Sequence, residues 1–304
     1  MRIQTLEQGG PPCSMTEMKP ANRILLVRGD KWAFDRAPYA IQLLSEDWRN
    51  RGIPVDETDV LRDAVGEDVL VFPHSDLTKV PPAMAELLSR CPRVVNRAVL
   101  DISKRTVSRQ LVRSAEDYDG EVIVKSNLNY GAQPEFRAAE RREGGDSPRL
   151  VNFAKLPWTK SGLFLSGNYP TYASPALVPK QVWDNPWLVV EKFLPERRGE
   201  FYCLRQYTFC GTSEINTLGL SRKPVIKSSN VVRREILDSV HPGVRAYREQ
   251  LGFDYGKFDY VIRDGEAIVF DVNRTFSYGR QADNAPKAAL VAKLADGIHA
   301  LLGA

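Results

Sequence analysis

Asp271 and Asn273 close an apolar run, "IVFDVNRT" (Ile268 to Thr275). A strand alternates its faces, so these two oxygen-bearing side chains point one way, and Phe270 and Val272 the other. The run follows "GKFDYVI" across Arg263-Asp264-Gly265. A three-residue turn there, with glycine in the left-handed position, sets Lys257 opposite Asp271 and Asp259 opposite Val269. Lys257, Asp259, Asp271 and Asn273 then share one face. A two-residue Asp264-Gly265 turn reverses the parity and turns Asp259 away, so a shared site predicts an odd-length loop. Two carboxylates and an amide form a hard, oxygen-only donor set. It suits Mg²⁺, which keeps several waters and completes its shell from nucleotide phosphates. Taken alone, Asp271-x-Asn273 is equally a strand end solvated by polar residues.

Other residues carry weaker chemistry. Lys125 ends the apolar strand "VIVKSN", either as a point charge for phosphate or as a lysine snorkelling to the surface. "LVVEKFLP" places Glu191, Lys192 and Phe193 where backbone can pair with an adenine edge and a nearby acid with ribose. Arg205, Arg274 and Arg280 are candidates for stabilising a transferring group, and Arg222, Lys223, Lys227, Arg233 and Arg234 for an anionic acceptor site or a solvated face. "FPHSD" (Phe72 to Asp76) reads as a capped turn or an acceptor loop at a strand end. "SGLFLSGNYPTY" (Ser161 to Tyr172) reads as a mobile lid or an exposed connector.

These residues need elements to hold them. "RILLVRG", "DVLVFP" and "RVVN" read as strands, alternating with helices over residues 37–52 and 81–91, which predicts a parallel α/β unit over residues 21–98. Residues 1–20, with Gly9-Gly10-Pro11-Pro12, read as a flexible leader. "NRAVLDISKRTVSRQLVRS" (Asn96 to Ser114) is expected to be helical, "GEVIVKSN" a strand, "NLNYGAQPE" a loop and "RAAERREGGDSPR" an exposed, charged connector. Strands follow over residues 186–196 and 200–211, then the final hairpin. "APKAALVAKLADGIHALLGA" is expected to form one amphipathic helix.

A chain of 304 residues that is 43% hydrophobic can bury a large core in two or three lobes. A net charge of +4 is too small to predict nucleic-acid binding, yet it suits a phosphate-bearing ligand. The four cysteines (Cys13, Cys91, Cys203, Cys210) show no CxxC or zinc spacing and read as reduced thiols. No stretch approaches the length of a membrane span, and no signal peptide is visible, so the expectation is a cytoplasmic protein with no membrane partner.

The order of the pieces is more informative than any one of them. Lys104 in a helix, Lys125 on a strand, Glu191-Lys192-Phe193, Arg205 on the next strand, then Asp259 and Asp271-x-Asn273 resemble the ATP-grasp superfamily over roughly residues 95–280. The resemblance implies an α/β fold with α+β character in its catalytic part. A small preceding α/β domain (21–98) is followed by an ATP-grasp domain (99–304). That domain has an ATP-binding lobe (99–190), then a hinge strand, a metal-binding lobe and a C-terminal helix (191–304). It also implies ATP and Mg²⁺ as cofactors, with Mn²⁺ able to substitute. Lys104 and Lys125 match the two lysines that contact nucleotide phosphates, and Glu191, Lys192 and Phe193 the adenine hinge. Glu200 matches a ribose partner, Arg205 a basic residue near the γ-phosphate, and Lys257 a basic residue that precedes the metal site. Asp259, Asp271 and Asn273 match the metal ligands, and Arg274 a contact to acceptor or intermediate.

Two departures bear on the reaction. The loop after Lys125 carries only Gly131 where many relatives have a glycine-rich flap, so phosphate cradling falls to Asn127 to Gly131, Asn129 included. Asp271 stands where most carboxylate–amine ligases of this superfamily have glutamate, and ATP-grasp kinases acting on inositol phosphates resemble this Asp-x-Asn pattern. The implied activity is a ligase that activates a carboxylate as an acyl phosphate for attack by an amine. A kinase acting on a hydroxyl is the alternative, and a non-catalytic nucleotide-binding module the third. The expected substrate is an anionic small molecule or peptide.

Overall fold

A computed structural model describes residues 19–29, 31–36, 39–144, 147–164, 168–277 and 285–303. Most of the leader and Arg280 lie outside the described residues. The described residues are mixed α/β, with three sheets. Strands β1 (Arg23–Arg28), β2 (Val55–Thr58), β3 (Val69–His74) and β4 (Arg93–Val94) form a parallel sheet in the order β2-β1-β3-β4. The near-continuous apolar runs of β1 and β3 suit strands covered on both faces. The helix Ala40–Asn50 covers one face, and Pro82–Arg90, which opens on proline as expected, belongs to the other.

Strands β5 (Leu111–Val112), β6 (Val122–Ser126), β7 (Thr171–Tyr172) and β8 (Leu188–Lys192) form an antiparallel sheet in the order β5-β8-β6-β7. The remaining six strands are β9 (Glu196–Arg198), β10 (Phe201–Cys210), β11 (Ser213–Ser221), β12 (Val231–Leu237), β13 (Tyr255–Arg263) and β14 (Glu266–Asn273). They build the largest sheet, β12-β11-β10-β13-β14, with β9 beside β10. Tyr207, Phe209, Phe258, Tyr260 and Val272 alternate onto one face of this sheet and pack with the helix Pro242–Leu251. The other face is left for polar groups.

Several expectations are corrected. The hinge strand β8 belongs to the β5–β8 sheet, so that sheet extends past residue 190 to Lys192. Of residues 96–114 only Lys104–Val107 is helical, and Leu111–Val112 is a strand. Asn96 has a positive φ of 57° and interrupts the chain, and Val99, Ile102 and Val107 pack on the large sheet. The connector at 137–149 begins instead as the end of an eleven-residue helix, Gln133–Glu143.

The C-terminal helix is two helices, Ala285–Ala295 and Ile298–Leu302. At the break, Gly297 lies against the β10–β11 turn so closely that an added Cβ would overlap the Cys210 carbonyl oxygen. The indole of Trp48 donates to the Ala295 carbonyl at 3.0 Å, and one core cluster joins Leu26, Trp48 and Phe72 to Ile215, Leu294 and Ile298. Gly297→Ala is expected to cost about 1–3 kcal/mol, read as a lowered thermal midpoint, because neither backbone can retreat without opening this shared core. A midpoint equal to that of the parent chain would show that the two backbones can separate.

His74 ends β3 and is 5% exposed, with neither ring nitrogen hydrogen-bonded among the described residues. It packs edge-on against Phe34 and Tyr39 at 5.2 and 4.5 Å. Burial pushes its pKa down to about 4 from 6.5, against a smaller opposing pull from Asp76. The unfolded chain therefore binds the extra proton first. Stability is expected to be complete above pH 6.5 and to fall as pH drops towards 4, by about 3 kcal/mol in all. Urea titrations from pH 7 to 4.5 should show this slope, and His74→Phe should flatten it.

Candidate active site

The polar face of the large sheet, the β5–β8 sheet, the helix Gln133–Glu143 and the carboxyl ends of β1 and β3 enclose one cleft of about 2350 Å³. Asp259, Asp271 and Asn273 all line it, with Lys104, Lys125 and Lys257. The hairpin that delivers them is not the one expected. Its turn has two residues, Asp264 and Gly265, both at positive φ (53° and 82°), and Arg263 pairs with Glu266. Such a turn fits the right-handed twist of its strands. The parity it would impose is reversed by an irregularity further along, where Tyr260 pairs with Val269 but Asp259 with Asp271.

Phe270 is the extra residue of this bulge. It brings Asp271 directly opposite Asp259 and Asn273 opposite Lys257. Phe270 itself lines the cleft, instead of facing away with Val272, and its ring lies 5.3 Å from the Lys125 ammonium.

The charges are tightly matched. The Lys104 ammonium, 4% exposed, lies 3.1 Å from Asp271 Oδ1, and Asn273 Nδ2 donates to Asp271 Oδ2 at 3.2 Å. Burial by itself would raise the Asp271 carboxyl. The charges of Lys104, Lys125 and Lys257 outweigh it and hold the group below its ordinary value. Burial likewise works against the Lys104 charge, and Asp271, with Tyr169 and Glu191, keeps its pKa above the ordinary value. Lys257 pairs with Asp259 Oδ2 at 3.2 Å, and Gln206 Nε2 donates to Asp259 Oδ1 at 3.0 Å. The Gln206 carbonyl accepts from Arg234, so an unbroken chain runs from β12 to Asp259.

Across the cleft, Lys125 lies 2.7 Å from Glu191 Oε2, a carboxylate only 1% exposed. Ile123 pairs with Glu191 in the β6–β8 ladder, so both residues share the face of Lys125. Lys192 and Phe193 line the cleft, but their backbone N–H groups are already donated to Gln110 and Glu121 at 2.9 and 2.8 Å. Adenine pairing by those two amides is thereby excluded, and Leu194 carries the next amide along the chain.

After Lys125 the backbone makes an unusual turn. Tyr130, Gly131 and Ala132 are consecutively left-handed, at φ of 44°, 67° and 66°. A side chain on Gly131 would meet the Phe164 carbonyl, so only glycine fits there. Asn129 is buried and lines the cleft, while Tyr130 is 64% exposed beside it.

Three expected residues lie elsewhere. Arg205 alternates onto the opposite face with Tyr207 and is clamped to Glu196 at 2.7 Å. Glu200 is exposed and faces Arg222 at 3.6 Å. Arg274, next to Asn273, is turned away by strand alternation and donates to the carbonyls of Val99, Leu77 and Thr78. Burial lowers its pKa to about 10. Arg222 and Arg233 are paired with Glu200 and Glu235, so among the basic residues of that stretch the cleft receives Lys227 and Arg234.

Other cleft residues had no assigned role in the sequence. Gln206 and Tyr169 were unmarked, and burial raises the Tyr169 pKa. Arg137, Arg141 and Arg142 fall in the stretch expected to be an exposed, charged connector. Their spacing on the helix Gln133–Glu143, with Arg141 and Arg142 about one turn on from Arg137, is the signal that one helix face meets the cleft. "FPHSD" supplies Ser75 and Asp76 to the cleft, at the carboxyl end of β3 where the parallel sheet changes direction. In "SGLFLSGNYPTY", Phe164 is 4% exposed and its ring lies tilted against that of Tyr169 at 5.0 Å, while residues 165–167 lie outside the described set.

The donor set fits a hard divalent cation. Two opposed carboxylates and an adjacent amide offer oxygen alone, and no cluster of three or more His, Cys, Asp or Glu able to hold a metal occurs among the described residues. So few protein ligands suit Mg²⁺ better than zinc or calcium. No helix among the described residues is long and apolar enough to cross a membrane.

No family model and no curated protein matches the chain. Solved structures to which it is similar include a RimK domain ATP-grasp protein from Sphaerobacter thermophilus (13% identity, 91% of this chain and 99% of that one, TM-score 0.47). The macrocyclase MdnC from Microcystis aeruginosa, bound to precursor peptide MdnA, is 11% identical over 92% of this chain and 100% of its own, TM-score 0.49. D-alanine–D-alanine ligase from Bacillus anthracis, complexed with ATP, is 12% identical over 93% and 98%, TM-score 0.41. Likeness at this level carries no conclusion about activity, which rests on the cleft itself.

Proposed function

We propose that the cleft binds Mg·ATP and that the protein is an ATP-grasp ligase, activating an acceptor carboxylate as an acyl phosphate. The observation that carries this reading is the convergence of two lysine–carboxylate pairs, Lys104–Asp271 and Lys125–Glu191, on the opposed Asp259, Asp271 and Asn273. Cations poised over an oxygen-only metal site are what phosphoryl transfer requires, since it is catalysed by positioning and charge neutralisation. Asp259, Asp271 and Asn273 would hold Mg²⁺, which when bound draws charge from the phosphate oxygens. Lys125 and Lys104 orient the phosphates, the amides of residues 127–131 cradle them, and Leu194 offers its N–H to the adenine.

An acceptor carboxylate oxygen attacks the γ-phosphorus, the bond from that phosphorus to the β-phosphate oxygen breaks, and ADP leaves. An amine nitrogen then attacks the acyl carbon, the carbon–oxygen bond to phosphate breaks, and phosphate and a proton are released. Arg234, linked through Gln206 to Asp259, takes the place near the γ-phosphate first expected of Arg205.

The acceptor reading is an anionic small molecule or peptide. Among the described residues, Arg137, Arg142 and Arg234 line the cleft without a carboxylate partner, whereas Arg28, Arg49, Arg198, Arg205 and Arg245 are each ion-paired. The cleft also exceeds the roughly 300–1,000 Å³ of a small-molecule pocket more than twofold. A kinase is the second reading, favoured by the short Asp271 in the metal position. Incubation with Mg·ATP and pooled carboxylates, amines and polyols decides between them. Equal ADP and free phosphate is expected. ADP without free phosphate would establish the kinase, and no nucleotide binding in magnesium would overturn both.

A further inference from the structure

Thr78 lies in the loop between β3 and the helix Pro82–Arg90 and is fully buried. A buried threonine in a connecting loop usually closes a local turn. This one bonds to four distant segments. Its N–H donates to Glu135 Oε1 at 2.7 Å, and its hydroxyl oxygen accepts from the Asn129 N–H at 2.7 Å. Its carbonyl accepts from the Ile102 N–H at 3.0 Å and from Arg274 Nη2 at 3.1 Å. The residues before it follow suit: the Asp76 carbonyl accepts from Asn129 Nδ2 at 3.3 Å, and the Leu77 carbonyl accepts from Arg274.

Asn129 is the residue that enters the left-handed turn at Tyr130, Gly131 and Ala132. Non-glycine residues hold such a conformation only where surrounding structure imposes it. The far side of the turn is pinned by the Phe164 N–H donating to the Gly131 carbonyl at 3.0 Å and by Gln133 Nε2 donating to the Phe164 carbonyl at 3.1 Å. The near side is pinned by Thr78. Arg274, held by the same loop, is adjacent to Asn273. The loop Ser75–Thr78, itself lining the cleft, thus touches both the turn beside Lys125 and the end of the strand carrying Asp271 and Asn273.

We propose that Thr78 is a positioning residue that couples the Ser75–Thr78 loop, at the carboxyl end of β3, to the nucleotide side of the cleft, through its hydroxyl on the Asn129 N–H. This rests on the nucleotide-binding reading above. A nucleotide that needs the turn in place tightens the Thr78 loop, and by linkage an ordered Thr78 loop favours nucleotide by the same factor. Thr78→Val keeps shape and volume but leaves the buried Asn129 N–H without an acceptor. Thr78→Ser restores the oxygen.

The test is titration of Mg·AMP-PNP into the parent chain, Thr78→Val and Thr78→Ser, with hydrogen exchange followed over residues 75–80 and 127–133. The expected result is affinity weakened about tenfold in Thr78→Val and within about twofold of the parent in Thr78→Ser. Nucleotide should slow exchange in both segments of the parent and Thr78→Ser. In Thr78→Val the slowing should be lost at 75–80. Should Thr78→Val unfold, the parent's exchange response and Thr78→Ser still decide: no slowing at 75–80 on binding overturns the coupling. Equal affinity of Thr78→Val and parent overturns it too, as does Thr78→Ser as weak as Thr78→Val. A parent chain that fails to bind AMP-PNP overturns the nucleotide reading itself, a distinct outcome.

Discussion

Lys125→Met is expected to weaken Mg·ATP binding by about 10- to 100-fold, the effect of losing one charge-assisted phosphate contact, and to lower folding stability at the same time. The two losses have different causes. Glu191 is 1% exposed and sits 2.7 Å from the lysine ammonium. Removing Lys125 takes the nearest cation from that carboxylate and leaves it the more distant charge of Lys104. Breaking a buried pair on one side costs about 3 kcal/mol or more, because the remaining charge loses its partner in a poorly solvated site. Adding Glu191→Leu should therefore recover most of the stability. Nucleotide affinity should stay low in the double variant, since no cation is returned to the phosphates. Equilibrium unfolding and nucleotide titration on the four chains of the cycle separate the two. Affinity restored along with stability would mean that Lys125 serves the fold alone.

Asp271→Asn is expected to reduce ATP turnover about 10³-fold and to shift its magnesium dependence to higher concentration, with Mn²⁺ recovering part of the loss. Charge neutralisation of the transferring group is worth several kcal/mol in such sites, and each 1.4 kcal/mol is tenfold in rate. The substitution keeps the side-chain shape and an oxygen for Lys104, so the fold should survive. Lys104 would then lie in a buried site without its paired charge, and Lys104→Met on the same background should lower turnover further, since the phosphates lose a cation. Turnover of Asp271→Asn within tenfold of the parent would remove this residue from the metal site. The same assays on Asp259→Asn test its opposite number, which is bonded to Lys257 and Gln206.

Strand alternation made some of this site legible before any coordinates. Lys125 between Val124 and Ser126, and Asp271 and Asn273 about Val272, follow from period-two patterning, as does the core face of Phe258 and Tyr260. The same rule, applied without knowing which face of β10 meets the cleft, misplaced Arg205. It also left Arg274 as an acceptor contact, although Val272 and Arg274 must share the face opposite Asn273. The start of the helix Gln133–Glu143 was not legible, because it follows directly on the left-handed turn Tyr130, Gly131 and Ala132. The arginines after it then read as an exposed connector.

The hairpin shows most clearly where local reasoning ends. An odd loop was one way to bring Asp259 and Asp271 together, and the chain uses another: an even turn, Asp264-Gly265, and an extra residue at Phe270. What the sequence by itself determined is the content of the site: one lysine in a helix and one on an apolar strand, two carboxylates and an amide on strands, with a parallel α/β unit before them. Local sterics and side-chain periodicity encode that much, because each is a property of adjacent residues. The tertiary structure alone decided which strand faces meet, through the bulge, the Arg205–Glu196 clamp and the bonds of Thr78 to segments up to 196 residues away. Those choices depend on the packing of chain segments distant in sequence, where burial, not local preference, selects the register.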